Sequence, residues 1–584
     1  MHVLENENEE ERKMRKSWLS AALAAVLTAS LLSGCGGQGT ASTTAAGEDT
    51  TTTAEAAENA GGETEAESSG EASGAKGNMI TYAIDAEPET LDPGMCNYNK
   101  SSALLLNLFN GLYRFSEDGS NVEPAMADSY TVSDDGLVYT FTLKEGLKWS
   151  DGSDLTAEDF EYSWKRELDA ELASPAAWNL FDIKNAEEYN NGECSADEVG
   201  IKAVDAVTLE VTLKNPTAYF VSLTASANWA PVKKDVVEGN DSWVKSADSY
   251  VCNGPFMLQE IKPQAGYTLV KNPEYFDAEN VKLDSVEIAI IEQAEAALSA
   301  YNAGDIDVMI GSSVGTQAMA QYNGSDELSA HDLIGTSYFD FNCSKEYLTP
   351  EVRKALSMAL VRATINDVAV PSKPKSALAF VPYGIPYGDE TVEFREKVGE
   401  TLITEDIEAA KQLLADAGYP DGEGLPVLQF IITNTQENKD KAQVMQAMWK
   451  EGLGVDCEIV TYESKVYWDE HGAGNFDIAF DGWTGDYLDP NSVLNIFNKG
   501  RMEKECRWQS DAALKYDDLL NQAAASADNA ERMEIFTECE QILMDEMPVI
   551  PLYYRNTMVL AKPHVSGFTV DFGAHPLFRC VSVE

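Results

Sequence analysis

The sequence is short of positive charge. Across 584 residues, 42 Lys and Arg face 98 Asp and Glu, a net charge of -56. That balance argues against nucleic acid or an anionic membrane surface as partner, since both are met through a basic face. Histidine is scarce: five residues leave little room for a His-rich metal site, and no cofactor or metal is implied. No two of the nine cysteines stand in C-x-x-C spacing, which removes support for zinc ribbons and thioredoxin-like sites. There is no Walker A sequence, no H-E-x-x-H and no internal repeat. Apolar material is plentiful. At 44% hydrophobic with 24 Tyr, the chain is not wholly disordered, and its length suggests about four domain-sized units. We read the acidity as a solvated exported surface; net charge alone does not separate this from an electrostatic trap for cationic ligands.

One long uncharged apolar stretch occurs. Arg12, Lys13, Arg15 and Lys16 precede the run Trp18 to Leu32, too short to span a membrane and placed as an export signal would be. It ends in Leu32-Ser33-Gly34-Cys35. This resembles the lipobox of bacterial lipoproteins, which implies that residues 1–34 are a signal peptide and that Cys35 carries diacylglycerol at the mature N-terminus. An ordinary secretory signal beside a cysteine is the alternative. The acidic stretch Glu5 to Glu11 is foreign to such a signal, so translation is expected to start at Met14. Without residues 1–34 the chain keeps 93 acids and 38 bases, so the acidity belongs to the working protein. Residues 36–77 are Gly, Thr, Ala, Ser and Glu with no aromatic, and read as a disordered acidic linker behind the lipidated Cys35. The expected location is the outer face of the cell membrane, or the periplasm where there is an outer membrane. The eight remaining cysteines are open to two readings, disulfides or small buried apolar residues.

From Met79 onward, strand and helix patterns are interspersed, so the fold class is α/β or α+β with mixed sheets. Tyr139, Phe141 and Leu143 alternate with polar neighbours, as do Val207 to Leu213, and predict half-buried strands. Asp134-Asp135-Gly136 predicts a turn. Thr156 with Asp159 predicts a capped helix through Trp164. Thr404 is expected to open a second helix with Ile407, Ala410, Leu413, Leu414 and Ala417 on one face and Gly418 as its stop.

Several segments occur in a telling order: Leu91-Asp92-Pro93, Asn107-Leu108-Phe109-Asn110-Gly111-Leu112, Lys148-Trp149-Ser150-Asp151-Gly152-Ser153, Asn253-Gly254-Pro255-Phe256, Lys271 to Phe276, Tyr301 to Asp307, Arg353 to Leu356, and Gly482-Trp483-Thr484-Gly485-Asp486-Tyr487-Leu488-Asp489-Pro490. Together they resemble the extracellular solute-binding proteins of family five, closest to the oligopeptide-binding branch, from about Thr81 to about Val570. The resemblance implies a bilobal α/β periplasmic-binding-protein-like fold. Lobe one would comprise 78–110, 233–336 and 554–584, an inserted subdomain 111–232, and lobe two 337–553, with two chain crossings as the hinge. It implies a monomeric receptor that closes on a peptide and delivers it to the permease subunits of an ABC transporter, whose ATPase acts only indirectly.

The resemblance also assigns the ligand-binding residues. Asp486 would meet the peptide ammonium, with Gly482, Trp483 and Thr484 beside it. Tyr98 and Asn99 would touch ligand from the other lobe, and Tyr338 and Asp340 would line the cleft from the crossover strand. Where relatives carry cations for a ligand carboxylate, this chain has Phe480, His471 and Val370, so only His471 keeps cationic potential; a surface position in His471-Gly472-Ala473-Gly474 is its other reading. A cysteine pair of some relatives is replaced by Gly335 and Thr484. Two alternatives stand. One is a non-peptide ligand such as a nickel chelate, a sugar or another amine-bearing solute. The other is a secreted serine hydrolase through Ser313 in Gly311-Ser312-Ser313-Val314-Gly315, which fits G-x-S-x-G.

Overall fold

The computed structural model describes residues 77–97, 99–388 and 391–584. The leader, Cys35 and almost all of the linker lie outside the described residues, as does Tyr98. No helix of the described residues is long and apolar enough to cross a membrane.

A ten-stranded mixed sheet runs through the molecule. Its strands in chain order are β1 (Met79–Ile84), β2 (Phe256–Lys262), β3 (Gly266–Lys271), β4 (Ser285–Ile290), β5 (Val308–Ile310), β6 (Leu328–Phe341), β7 (Leu428–Thr433), β8 (Cys457–Tyr462), β9 (Ile478–Thr484) and β10 (Val549–Ala561). In space the order is β8-β7-β9-β6-β10-β5-β1-β4-β3-β2. Strands β1 to β5 build one side and β7 to β9 the other. The long strands β6 and β10 lie between, antiparallel to each other, and serve both sides. Thr336 pairs with Tyr554 and Ser337 with Tyr553, so the two crossings lie opposite one another, and register shifts flank this point. From Leu333 to Phe341, β6 is buried on both faces, as a central strand covered by helices should be. The fold is a two-lobed α/β arrangement, as the resemblance implies.

A separate four-stranded sheet holds Ala127–Val132, Val138–Leu143, Thr208–Thr212 and Ile201–Ala203. It contains both alternating segments read from sequence. Gly136 turns the hairpin at φ 72°. The helix after Thr156 spans Ala157–Leu168, and Asp159 accepts from the Thr156 amide at 2.8 Å. One expectation needs correcting. The helix placed after Thr404 runs Ile407–Asp416, and its cap is Asp406, whose carboxylate accepts from the Ala409 amide at 2.9 Å. Aspartate is as good a cap as threonine and sits directly before the first turn.

Several of the ordered segments hold the backbone rather than face a cleft. Asp92 takes both guanidinium nitrogens of Arg166 (3.1 and 2.7 Å) and the Gly94 amide. Asn253 bonds both backbone groups of Asn110, while the Gly254 amide donates to the Leu108 carbonyl at 2.8 Å. A Cβ on Gly254 would lie 2.4 Å from the Leu108 carbonyl carbon, so only glycine permits that approach. Asn107 ties the same helix end to Pro576 and Phe578. These bonds fix the helix Asn99–Leu108, whose first residue faces the cleft.

Candidate ligand-binding cleft

Strand β9 pairs in register with β6: Thr484 faces Gly335, Trp483 faces Thr336 and Gly482 faces Ser337. The positions of the missing cysteine pair are therefore cross-strand neighbours. Past Thr484 the chain turns through Gly485 to Asp486. Ser492 Oγ accepts from the Asp486 amide at 2.6 Å, and the Ser492 carbonyl accepts from the Trp483 indole at 2.9 Å. The Arg501 guanidinium lies 4.6 Å above the Trp483 ring. Asp489, in the same segment, accepts both guanidinium nitrogens of Arg532 at 2.9 Å in a buried pair and the Asn491 amide at 2.9 Å. The loop bearing Asp486 is thus clamped at both ends. Tyr487 stacks on Tyr219 of the inserted segment, with ring centres 4.1 Å apart.

Two recesses meet at this loop. One, of about 760 Å³, is walled by Gly482, Trp483 and Thr484 on one side and by Gly311, Ser312 and Met319 on the other. The second, of about 170 Å³, runs past Trp178 and Asn228 to His575. Asn99, Thr484 and Asp486 border both. The combined cavity is of the size that holds a small ligand. Asp486 is exposed and borders both recesses. The surrounding protein disfavours its charge and pushes the carboxyl up to about 6, against the opposing pull of Arg501. Its side chain is otherwise uncommitted to any basic partner among the described residues within ion-pair distance. At the far side, His575 meets Asp571 at 2.8 Å; burial works against its charge, but the Asp571 carboxylate prevails and raises its pKa.

Of the residues expected to bind ligand, the structure brings Asp486, Trp483, Thr484, Gly482 and Asn99 to one cavity. Tyr338, Asp340 and His471 lie elsewhere, buried behind β9. Tyr338 packs against Phe380 and Phe497. His471 is not a surface loop residue. It is buried in the last turn of the helix Ser464–Ala473, stacked on Phe476, with Nε2 3.0 Å from Asp340. Burial opposes its charge, yet the Asp340 hydrogen bond and the neighbouring carboxylates raise its pKa. Asp481 completes this group; burial and the Asp340 charge push its carboxyl up to about 7. Phe480 faces the other side of the sheet under Lys441, whose ammonium lies 4.0 Å from the ring centre and bonds Glu437 and Tyr553.

The G-x-S-x-G run is a wall of the cleft. Gly311 and Ser312 line it, while Ser313 is buried. His331, His471, His564 and His575 are engaged with Ser329, Asp340, Asp307 and Asp571, and none reaches Ser313. Ser313 therefore has no histidine base among the described residues. Sequence reasoning overlooked Arg555, Asp571, Gly573 and His575 as cleft residues. Only Gly311 and Ser312 carried a signal, as part of the G-x-S-x-G run.

Two lobes sharing a sheet, with a mostly polar cavity walled from both sides, define a solute-binding protein. Residues 121–504 match the family described as bacterial extracellular solute-binding proteins, family 5 middle. The oligopeptide-binding protein OppA of Bacillus subtilis is 32% identical over 97% of this chain and 99% of its own. The unliganded open form of MppA, a periplasmic murein tripeptide binding protein, superposes with a TM-score of 0.74 at 30% identity, over 87% of this chain and 98% of that one. Haemophilus influenzae OppA in complex with RPPGFSPFR matches with a TM-score of 0.66 at 26% identity, over 87% of this chain and 99% of that one. The chain belongs to the family 5 extracellular solute-binding proteins.

Proposed function

We propose that this protein is a lipid-anchored receptor that captures peptides in the cleft beside Asp486 and hands them to an ABC transporter permease, without chemistry on the ligand. The observation that carries this reading is a carboxylate, in no ion pair among the described residues, at the point where both recesses meet. A peptide brings an ammonium that must be paired once water is excluded. Beyond Ala479, β9 is no longer paired with β7, and that edge suits an extended ligand, because main-chain pairing accepts any sequence. The relatives named above bind peptides according to their descriptions, in keeping with this reading. Lobe one as 78–110, 233–336 and 554–584, lobe two as 337–553, and a hinge at the paired crossings follow from the same proposal.

Native mass spectrometry of freshly purified protein tests it. Co-purifying masses that fragment as peptides are expected; a nickel chelate or a sugar would overturn the peptide assignment. The anchor has its own test. Cys35→Ser is expected to abolish labelling by a fatty-acid analogue and release the protein into the medium or leave it unprocessed. Continued labelling would refute the lipid site.

A further inference from the structure

Ten arginines lie among the described residues, and nine donate hydrogen bonds to carboxylates or carbonyls: Arg114, Arg166, Arg353, Arg362, Arg395, Arg501, Arg507, Arg532 and Arg579. Arg555 is the exception. It stands on β10, half-buried, and lines the larger recess with Asn99, Gly482, Thr484 and Asp486. In a chain with more than twice as many acids as bases, a guanidinium that neither pairs nor leaves the cleft calls for a reason. Of the nearby acids, Glu437 is taken by Lys441 at 3.0 Å and Asp332 by Lys375 at 2.6 Å, while Asp486, on the same recess, makes no ion pair with Arg555 among the described residues.

Its stem is placed by a second feature. Gly335 on β6 lies between Thr484 and Arg555, and a Cβ there would come 3.0 Å from Arg555 Cδ and 2.9 Å from Thr484 Oγ1. Glycine at 335 thus leaves a path along which the arginine crosses toward β9. Strands β9, β6 and β10 are consecutive, so two strand spacings put Arg555 on the order of 10 Å from the Asp486 end of β9. Three extended residues span about that length.

We propose that Arg555 is the carboxylate-recognition residue of the cleft, taking either the C-terminal carboxylate of a short peptide or an acidic side chain. This rests on the peptide reading above. Guanidinium stays charged at all working pH values and matches a carboxylate with two parallel hydrogen bonds. Lys441 does not compete for the role, being buried and committed to Glu437 and Tyr553. Neither does His471, which is enclosed with Asp340.

The test is calorimetry on the full mature chain with alanine peptides of three to five residues as free acids and as amides, and with Ala-Glu-Ala amide against Ala-Gln-Ala amide. Wild type is expected to prefer the carboxylate-bearing member of at least one pair by roughly ten- to hundredfold. Arg555→Gln should erase that preference, lowering affinity far more for the carboxylate-bearing member than for the carboxylate-free one, while Arg555→Lys keeps part of it. Erasure in the acid–amide pair assigns the C-terminal carboxylate; erasure in the Glu–Gln pair assigns a side chain. Binding of all probes without discrimination, or discrimination that survives Arg555→Gln, overturns the proposal and leaves the peptide reading intact. Failure of every probe to bind wild type overturns both. Since Arg555 makes no side-chain hydrogen bond among the described residues, unchanged melting of the ligand-free variants is the expected control.

Discussion

Asp486→Ala is expected to weaken binding of peptides with a free amino terminus by roughly a hundredfold or more, as removal of one member of an enclosed charge pair does. Acetylated peptides should lose comparable affinity for wild type and lose little further with the variant. Titration calorimetry of free and acetylated peptides against both proteins measures this, and unchanged affinity in Asp486→Ala would remove the residue from the site. The pH dependence has a definite sign. In the ligand-free protein this carboxyl is pushed up to about 6, and an ammonium selects the ionised form. Affinity should therefore be flat above about pH 7 and fall by up to tenfold per unit below about 6, with proton release on binding. Stability runs the other way. A carboxyl whose folded pKa is raised binds more protons folded than unfolded, so this group makes the ligand-free protein lose stability as pH rises from about 4 to about 6.

Arg532→Met is expected to cost about 3–5 kcal/mol, because it leaves Asp489 buried without its counter-charge. The pair does more than stabilise. Asp489 also accepts the Asn491 amide and anchors the far end of the loop that presents Asp486, so peptide affinity should fall even where the protein remains folded. Adding Asp489→Asn removes the stranded charge and should recover part of the stability but not the affinity. Urea denaturation monitored by tryptophan fluorescence, paired with peptide titration, separates the two effects. A loss below about 1 kcal/mol for Arg532→Met would show that the loop is held by other contacts.

Much of this was legible in the sequence where a residue's job is written in its neighbours. Period-two strands and the Thr156 cap are local signals, and the mixed α/β class followed from their interspersion; the two lobes were implied only by the family resemblance of segments such as Gly482–Pro490. The helix start at Asp406 was missed by two residues, because Thr404 and Asp406 offer equivalent caps and sequence does not rank them. Burial was less legible. Asp340, Tyr338 and His471 were expected at the ligand, but alternation along β6 and β9 directs Tyr338, Asp340 and Asp481 to the rear of the sheet, where His471 closes the group. Arg555 was invisible for a different reason. Its role depends on a register across three strands far apart in sequence, and on the absence of a side chain at Gly335.

The two long strands also decide how the molecule can be taken apart. Because β6 and β10 serve both sides of one sheet, neither half carries its own boundary. Excising residues 337–553 would cut each strand in mid-ladder and leave raw backbone edges on both fragments, the kind of surface that recruits other chains. Dissection of this protein into separately expressed halves should yield aggregates, whereas cuts within exposed loops leave the sheet whole.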